Sequence, residues 1–151
     1  MLVSELAFDL AQAEFMSQLD DVEHSSPGKM ITPEVMARWC YLRDTKMHLH
    51  YRYANTLVTI VYHASRVPAY RALLFVTPGL VTMCVDLAHA HASESEEEAW
   101  YRKWYRSAAL LTLRNLAQEF DLRNVPDVRL VATECASWDA RAARELLRAT
   151  A

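Results

Sequence analysis

The sequence predicts an all-α fold, a single-domain bundle of about five to seven helices over residues 1–151. Apolar residues make up 52% of the chain, which is enough to build a packed core. Gly28 and Gly79 are the only glycines, whereas a β-rich fold of this size normally needs more of them in its turns. Apolar residues also recur three and four positions apart, which is the period of an amphipathic helix.

The first part of the chain carries three helical patterns. One covers about residues 3–22, and a second begins at Thr32-Pro33-Glu34. Threonine caps a helix, proline fits its first position, and a glutamate there faces the positive helix end. A bend is expected near residues 43–45, because an unbroken helix to Ser65 would exceed thirty residues. The third helix therefore covers about residues 46–65.

Two breaks divide the middle of the chain. Residues 69–77 are predicted to hold a short helical turn, and Thr77-Pro78 restarts a helix that reaches His91. Ser95 and Glu98 have the spacing of a capping box, so a new helix is expected to begin there.

The long helix that follows is predicted to run to about Phe120. Its centre, residues 108–117, is apolar nearly all round, which is typical of a helix enclosed by its neighbours. Val125-Pro126-Asp127 opens a last helix with one apolar face, and Arg141 and Glu145 form a pair four apart on its surface. That apolar face consists of Val131, Cys135, Trp138, Ala142 and Leu146.

Charge and cysteine content limit the function classes. The net charge of −3 and the pI of about 6.1 do not suggest the basic face of a nucleic-acid-binding protein. Cys40, Cys84 and Cys135 are widely spaced and form no CxxC pair, so buried free thiols are expected and a metal site is not. Residues 1–10 do not have the pattern of a secretory signal, so none is expected there, and the uncharged run at residues 72–85 is too short and broken for a bilayer. An intracellular location, cytoplasmic or nuclear, is therefore expected.

Five stretches carry a resemblance to a known family. They are HLHYRY at 48–53, VYHAS at 61–65, MCVDLA at 83–88, YRSAALLTL at 105–113 and VPDVRLV at 125–131. In this order they resemble the C-terminal part of the regulatory domain, or middle homology region, of fungal-specific zinc-cluster transcription factors. The resemblance covers about residues 33–148.

This resemblance implies a helical regulatory domain, and two departures from the family pattern qualify it. The family reads DNA through a zinc cluster held by six cysteines. This chain has only three cysteines, so it lacks that cluster. His63 stands where the family usually has an arginine, so a role of that arginine does not transfer to His63.

A polar stripe on the third predicted helix supplies most of the candidate site. If the stripe faces the bundle interior, it brings a cation, hydroxyls and an imidazole to a cavity that could bind a ligand. The alternative is that it forms the solvent side of the helix. The candidate catalytic residue is His63, and the candidate ligand-binding residues on this helix are Arg52, Tyr53, Thr56, Thr59 and Tyr62.

Two further groups could contribute to function. Asp86 and His89 are three apart, so the carboxylate could orient the imidazole as a general base, or the two could form a local ion pair. Trp100, Trp104 and their tyrosine neighbours lie at helical spacing. Such a group usually forms core or a subunit interface, and otherwise lines an apolar pocket, which makes Trp104 a candidate ligand-binding residue.

Two functions remain open from the sequence. The first is a standalone regulatory or ligand-binding module that does not itself bind DNA and acts through a small molecule, a homodimer or another protein partner. The second is a cyclase or isomerase of fungal secondary metabolism that needs no cofactor and acts on a polyketide-like or terpenoid-like substrate. Neither function involves nucleic acid or a membrane. No motif for a common cofactor occurs, so none is expected.

Overall fold

The computed structural model describes residues 51–89 and 95–151, and this part of the chain contains six helices and no strand. The all-α prediction is therefore confirmed. The helices are α1 (Tyr51–Ser65), α2 (Pro68–Val76), α3 (Leu80–Ala88), α4 (Glu96–Ala117), α5 (Val128–Cys135) and α6 (Ala140–Ala149). The helices predicted within residues 3–22 and 32–44, and Cys40, lie outside the described residues.

Helix α4 is the centre of the bundle. It packs against α1, α3 and α6, and its buried residues lie between Tyr105 and Leu116. Helix α5 packs in turn against α6. Ala109, Leu110, Leu113 and Leu116 are fully buried there. The prediction that this segment is enclosed by neighbours is confirmed, and the reason is its lack of a continuous polar side.

Helix α1 supplies the facing side of the core. An apolar stripe at helical spacing in the sequence predicts that Leu57, Ile60 and Ala64 face the core, and all three are fully buried. Val58 and Val61 are also fully buried, so the buried side of α1 is wider than one stripe. Burying a side chain of leucine or isoleucine size stabilises the fold by roughly 2 kcal/mol.

A sharp turn separates α2 from α3, and the two helix axes differ by 93°. The Thr77 hydroxyl donates to the Leu73 carbonyl at 2.6 Å near the end of α2. Gly79 then adopts a left-handed conformation with φ 78°, which a side chain would make costly. The predicted short turn over residues 69–77 is a helix of nine residues.

Helix α3 is shorter than predicted. It ends at Ala88, because His89 has an extended backbone with ψ 146°, so the expectation that it reaches His91 is wrong. The Ala88 carbonyl at this end accepts a hydrogen bond of 3.1 Å from the Arg106 side chain of α4. This contact places a cation at the negative end of α3.

The start of α4 agrees with the predicted cap. The Ser95 hydroxyl accepts a hydrogen bond of 3.1 Å from the Glu98 backbone N–H. The Glu98 carboxylate binds Arg102 one turn later at 2.6 Å. At its other end α4 stops at Ala117, and Phe120 lies in the following turn, where its ring stacks on that of Phe75 with centroids 4.5 Å apart.

The single last helix predicted from the sequence is wrong, because α5 and α6 are separate. The Asp139 carboxylate accepts a hydrogen bond of 3.1 Å from the Ala142 N–H and so starts α6 as an N-cap. The apolar pattern continues across this break, since Val131 and Leu146 are both fully buried. The predicted surface pair is confirmed, with Arg141 and Glu145 3.1 Å apart.

No single helix in the described ranges is long and apolar enough to cross a membrane. By length and composition alone, the bent pair of α2 and α3 passes the same test when taken together.

Candidate functional site

The structure describes only part of the predicted polar stripe on α1. The side chains of Arg52, Tyr53 and Thr56 lie outside the described part. Thr59 and His63 are half-buried, so the stripe is neither sealed in the core nor fully in solvent there.

Tyr62 is half-buried beside His63, and their rings meet edge to face with centroids 5.3 Å apart. The two predicted residues are thus brought together. This contact leaves the role of His63 as a prediction.

The predicted partnership of Asp86 with His89 is absent. Asp86 is exposed, and its carboxylate forms no hydrogen bond or ion pair with the residues described. The pairing fails because α3 ends at Ala88, so His89 is no longer on the helix surface that carries Asp86. Helical spacing therefore cannot bring the two side chains together.

His89 lies instead beside two carboxylates from the α5 region. Its Nδ1 is 3.5 Å from Glu134 Oε2, and its Nε2 is 4.0 Å from Asp127 Oδ2. Asp127 has a left-handed backbone with φ 65° immediately before α5, a conformation that aspartate tolerates better than most residues. The carboxylates lie on opposite ring nitrogens, so when protonated His89 can link the end of α3 to both ends of α5.

A second contact between these helices centres on Arg106. Its Nε donates to the Ala88 carbonyl, its Nη2 lies 3.9 Å from the Cys135 sulfur, and its guanidinium lies 5.6 Å from the Trp138 ring centroid. The Cys135 thiol also donates to the Ala88 carbonyl at 3.6 Å. One arginine therefore ties the ends of α3 and α5 to α4.

Cys135 and Cys84 are both fully buried and neither forms a disulfide, so the predictions of buried thiols at these two positions are confirmed. Burial raises the pKa of the Cys135 thiol to about 11, although the nearby Arg106 partly opposes this increase. At neutral pH the thiol is protonated and a poor nucleophile. Its geometry fits a role in packing.

A buried polar network on the other side of α4 was missed by the sequence analysis. Asn115 is only 4% exposed, and its amide donates to the Ser65 hydroxyl at 3.0 Å. The Ser65 hydroxyl donates to the Tyr62 carbonyl at 2.6 Å, and Arg71 Nε donates to the Ser65 carbonyl at 2.7 Å. Asn115 within the apolar run of residues 108–117 was the available signal, because a buried amide needs partners.

The residues of the predicted aromatic group on α4 differ in their burial. Tyr105 points into the core and is 5% exposed, and burial raises the pKa of its hydroxyl. Tyr101 is half-buried. Trp100 and Trp104 point outward, 56% and 55% exposed.

The two tryptophans form a continuous surface. Their ring centroids are 6.0 Å apart, and the Trp100 ring also meets Tyr101 edge to face at 4.9 Å. Glu96 and Lys103 lie beside them on α4, and both are exposed. We call these four residues, Glu96, Trp100, Lys103 and Trp104, the aromatic face.

No protein-family model, curated protein or solved structure matches this chain. The resemblance to the fungal regulatory domain therefore stays a prediction from the motifs. Within residues 51–89 and 95–151, no three His, Cys, Asp or Glu side chains are placed to hold one metal ion.

Proposed function

We propose that this chain is a regulatory helical module that acts by binding another protein chain through the aromatic face of α4. The observation that carries the proposal is the exposure of Trp100 and Trp104, each more than half accessible on one face of one helix. An exposed patch of large apolar side chains on a folded domain commonly marks an interaction site. Tryptophan is also among the residues that contribute most to binding at protein interfaces.

The free energy available at this face is substantial. A tryptophan can bury roughly 200 Å² of surface, and apolar burial is worth about 25 cal/mol per Å². Covering the exposed half of each indole would therefore contribute about 2 kcal/mol per tryptophan before the costs of association.

The aromatic face is also held in place before any partner binds. The Ser95 cap fixes the start of α4, and the buried Tyr105 fixes the side of the helix that faces the core. A partner would meet a helix that is already ordered, so little conformational entropy is lost on α4 itself.

Charge supports a protein partner over nucleic acid at this face. Glu96, Glu97 and Glu98 form the first turn of α4, next to the exposed tryptophans. Carboxylates repel phosphates, so this end of the helix disfavours a nucleic acid backbone. The resemblance to a regulatory domain supports the same choice.

The proposal is tested by affinity purification from the organism that encodes the chain, followed by reconstitution with each purified candidate. The wild type is compared with Trp100→Ala/Trp104→Ala and with Leu130→Ser, a control at a residue of α5 that is 50% exposed. We expect a partner that binds wild type and control and loses at least about 30-fold in affinity for the double variant, about 2 kcal/mol. Equal binding of all three proteins, or binding of none, would contradict the proposal.

The cyclase or isomerase is the second candidate function, and the half-buried His63 beside Tyr62 is the observation that supports it. An imidazole and a phenol in contact can move a proton without a cofactor. If the chain converts a substrate, His63→Ala is expected to lower kcat strongly. Turnover unaffected by this change would remove His63 from the mechanism.

A further inference from the structure

We infer that the partner of the aromatic face is a second copy of this chain, packed with its α4 antiparallel to the first across a two-fold axis near Trp100. This inference rests on the proposed use of the aromatic face for binding, and it states which protein binds there. The argument starts from Glu96 and Lys103, which are both exposed and form no ion pair with any residue described.

The helical geometry places these two charges on the same edge of the aromatic face. They are seven residues apart, and each residue of an α-helix is rotated by about 100° from the one before it. Seven residues therefore complete two full turns to within roughly 20°, so the two side chains leave the helix in nearly the same direction. Their Cα atoms are therefore separated by about 10 Å along the helix axis. The midpoint between them falls beside Trp100.

A two-fold axis through this midpoint matches each charge with its opposite. The two-fold axis reverses the direction of α4 and keeps each edge of the aromatic face on the same side of the dimer. A residue on one edge of the first copy therefore faces the residue on that edge of the second copy that lies equally far from the axis in the opposite direction along the helix. Glu96 of one copy then faces Lys103 of the other, and the same pair forms a second time by symmetry. A closed dimer needs a surface that is complementary to itself in this way.

The tryptophans take the centre and the other edge of the same contact. Trp100 lies beside the axis, so the two Trp100 rings meet across it. Trp104 is one turn further on and faces the first turn of the second helix, where Glu97 lies. Both indoles are covered by apolar or helix surface in this arrangement.

A parallel self-pairing, or a partner segment of one charge sign, leaves charges unmatched. A parallel pairing brings Glu96 against Glu96 and Lys103 against Lys103. A basic partner segment is attracted by the acidic first turn of α4 but repelled by Lys103. An acidic partner segment is attracted by Lys103 but repelled by the acidic first turn. The antiparallel self-pairing satisfies both charges with no additional chain.

The contact is small, because it uses about three turns of one helix on each side. Interfaces of this size fall at the low end of the range for specific complexes, so we expect a dissociation constant in the micromolar range. Since the ion pairs lie at the rim, the dimer is also expected to weaken as salt is raised.

Charge reversal tests the inference directly. Sedimentation velocity of the full chain is measured from about 1 to 300 µM, a span chosen to bracket a micromolar dissociation constant. Lys103→Glu places Glu96 opposite a glutamate, and Glu96→Lys places Lys103 opposite a lysine. Each single change is expected to weaken the dimer at least about fivefold, or roughly 1 kcal/mol for the two exposed pairs together.

The double variant Glu96→Lys/Lys103→Glu restores opposite charges across the axis and is expected to dimerise within about twofold of the wild type. It also controls for effects on folding, because Glu96→Lys changes the helix N-terminus equally in the single and the double variant. Circular dichroism confirms that each variant is folded. A double variant as weak as the singles, or a wild type that stays monomeric throughout, would overturn the self-pairing.

The tryptophan variant separates this inference from the proposed function. If Trp100→Ala/Trp104→Ala loses a different protein partner while the wild type is monomeric, the aromatic face is a binding surface and the self-pairing is wrong. If the wild type dimerises and the tryptophan variant dimerises equally well, the dimer uses another surface and the inference fails.

Discussion

The Asn115 side chain donates a hydrogen bond of 3.0 Å to the Ser65 hydroxyl, and this bond joins the last turn of α4 to the last residue of α1. Ser65 is fully buried and Asn115 is 4% exposed, so neither group can replace the bond with bulk water. The Ser65 hydroxyl in turn donates a hydrogen bond of 2.6 Å to the Tyr62 carbonyl. These polar groups therefore fix the relative position of the two helices within an apolar core.

Replacing Asn115 with alanine is expected to lower the free energy of unfolding by about 1–3 kcal/mol, because Ser65 loses a buried partner. Urea unfolding of the wild type and the variant measures this difference. Ser65→Ala and the double variant complete a cycle, in which the coupling energy between the two residues is expected to be about 1 kcal/mol. Gln118→Ala, at an exposed position after α4, is the control and should change little. If the effects of the two core changes on the free energy of unfolding were fully additive, the two side chains would not be coupled and the prediction would be wrong.

Burial of Cys135 predicts a loss of stability at alkaline pH. Its pKa is raised to about 11 in the folded chain, whereas a thiol in an unfolded chain titrates near about 8.5. The stabilisation that comes with the protonated thiol is therefore fully present below about pH 8.5 and is lost as the pH rises towards 11. Between these values the free energy of unfolding is expected to fall by up to about 1.4 kcal/mol per pH unit.

Urea unfolding between about pH 7 and pH 10.5 measures this loss over the window in which the thiol titrates. Cys135→Ala lacks the thiol and should show a shallower decrease with pH. Burial also raises the pKa of Tyr105, so Tyr105→Phe serves as a second control for the loss at the highest pH. Parallel pH profiles for wild type and Cys135→Ala would contradict the prediction.

Gly79 is expected to be sensitive to any side chain. It begins α3 with φ 78°, where an L-residue with a Cβ costs roughly 1–2 kcal/mol. Gly79→Ala should lower the free energy of unfolding by about that amount, measured by thermal or urea unfolding. Thr82→Ala, an exposed site on α3, is the matched control and should change stability by less than about 0.5 kcal/mol. A neutral Gly79→Ala would show that the turn can adopt another conformation.

The elements that the sequence predicted well are those with a local chemical signal. Ser95 begins α4 because its hydroxyl accepts from the N–H three residues later, and this needs only the local spacing. Pro68 is the first residue of α2, a position that proline fits, but only a short helical turn over residues 69–77 was predicted there.

The errors lie where a local pattern was compatible with two structures. The apolar residues before and after Asp139 keep helical spacing, so the pattern does not show that α5 and α6 are separate helices. The end of α3 at Ala88 was missed for the same reason. Its carbonyl binds Arg106, which lies 18 residues further along the chain.

The candidate site shows the same division. The pairing of Asp86 with His89 was predicted from spacing alone, and the structure places His89 beside Glu134 and Asp127 instead. The Ser65–Asn115 bond joins residues 50 positions apart, and no local spacing encodes such a pair. The exposed tryptophans were recognised as a group, but their orientation was not known.

By itself, the sequence determined that this chain folds into helices, where several of them begin and which side of α1 enters the core. These properties follow from backbone capping and from apolar periodicity, which act over a few residues. Only the tertiary structure decided that Tyr105 turns inward while Trp100 and Trp104 turn outward. The reason is that the orientation of α4 is set by the helices packed against it, and these come from distant parts of the chain.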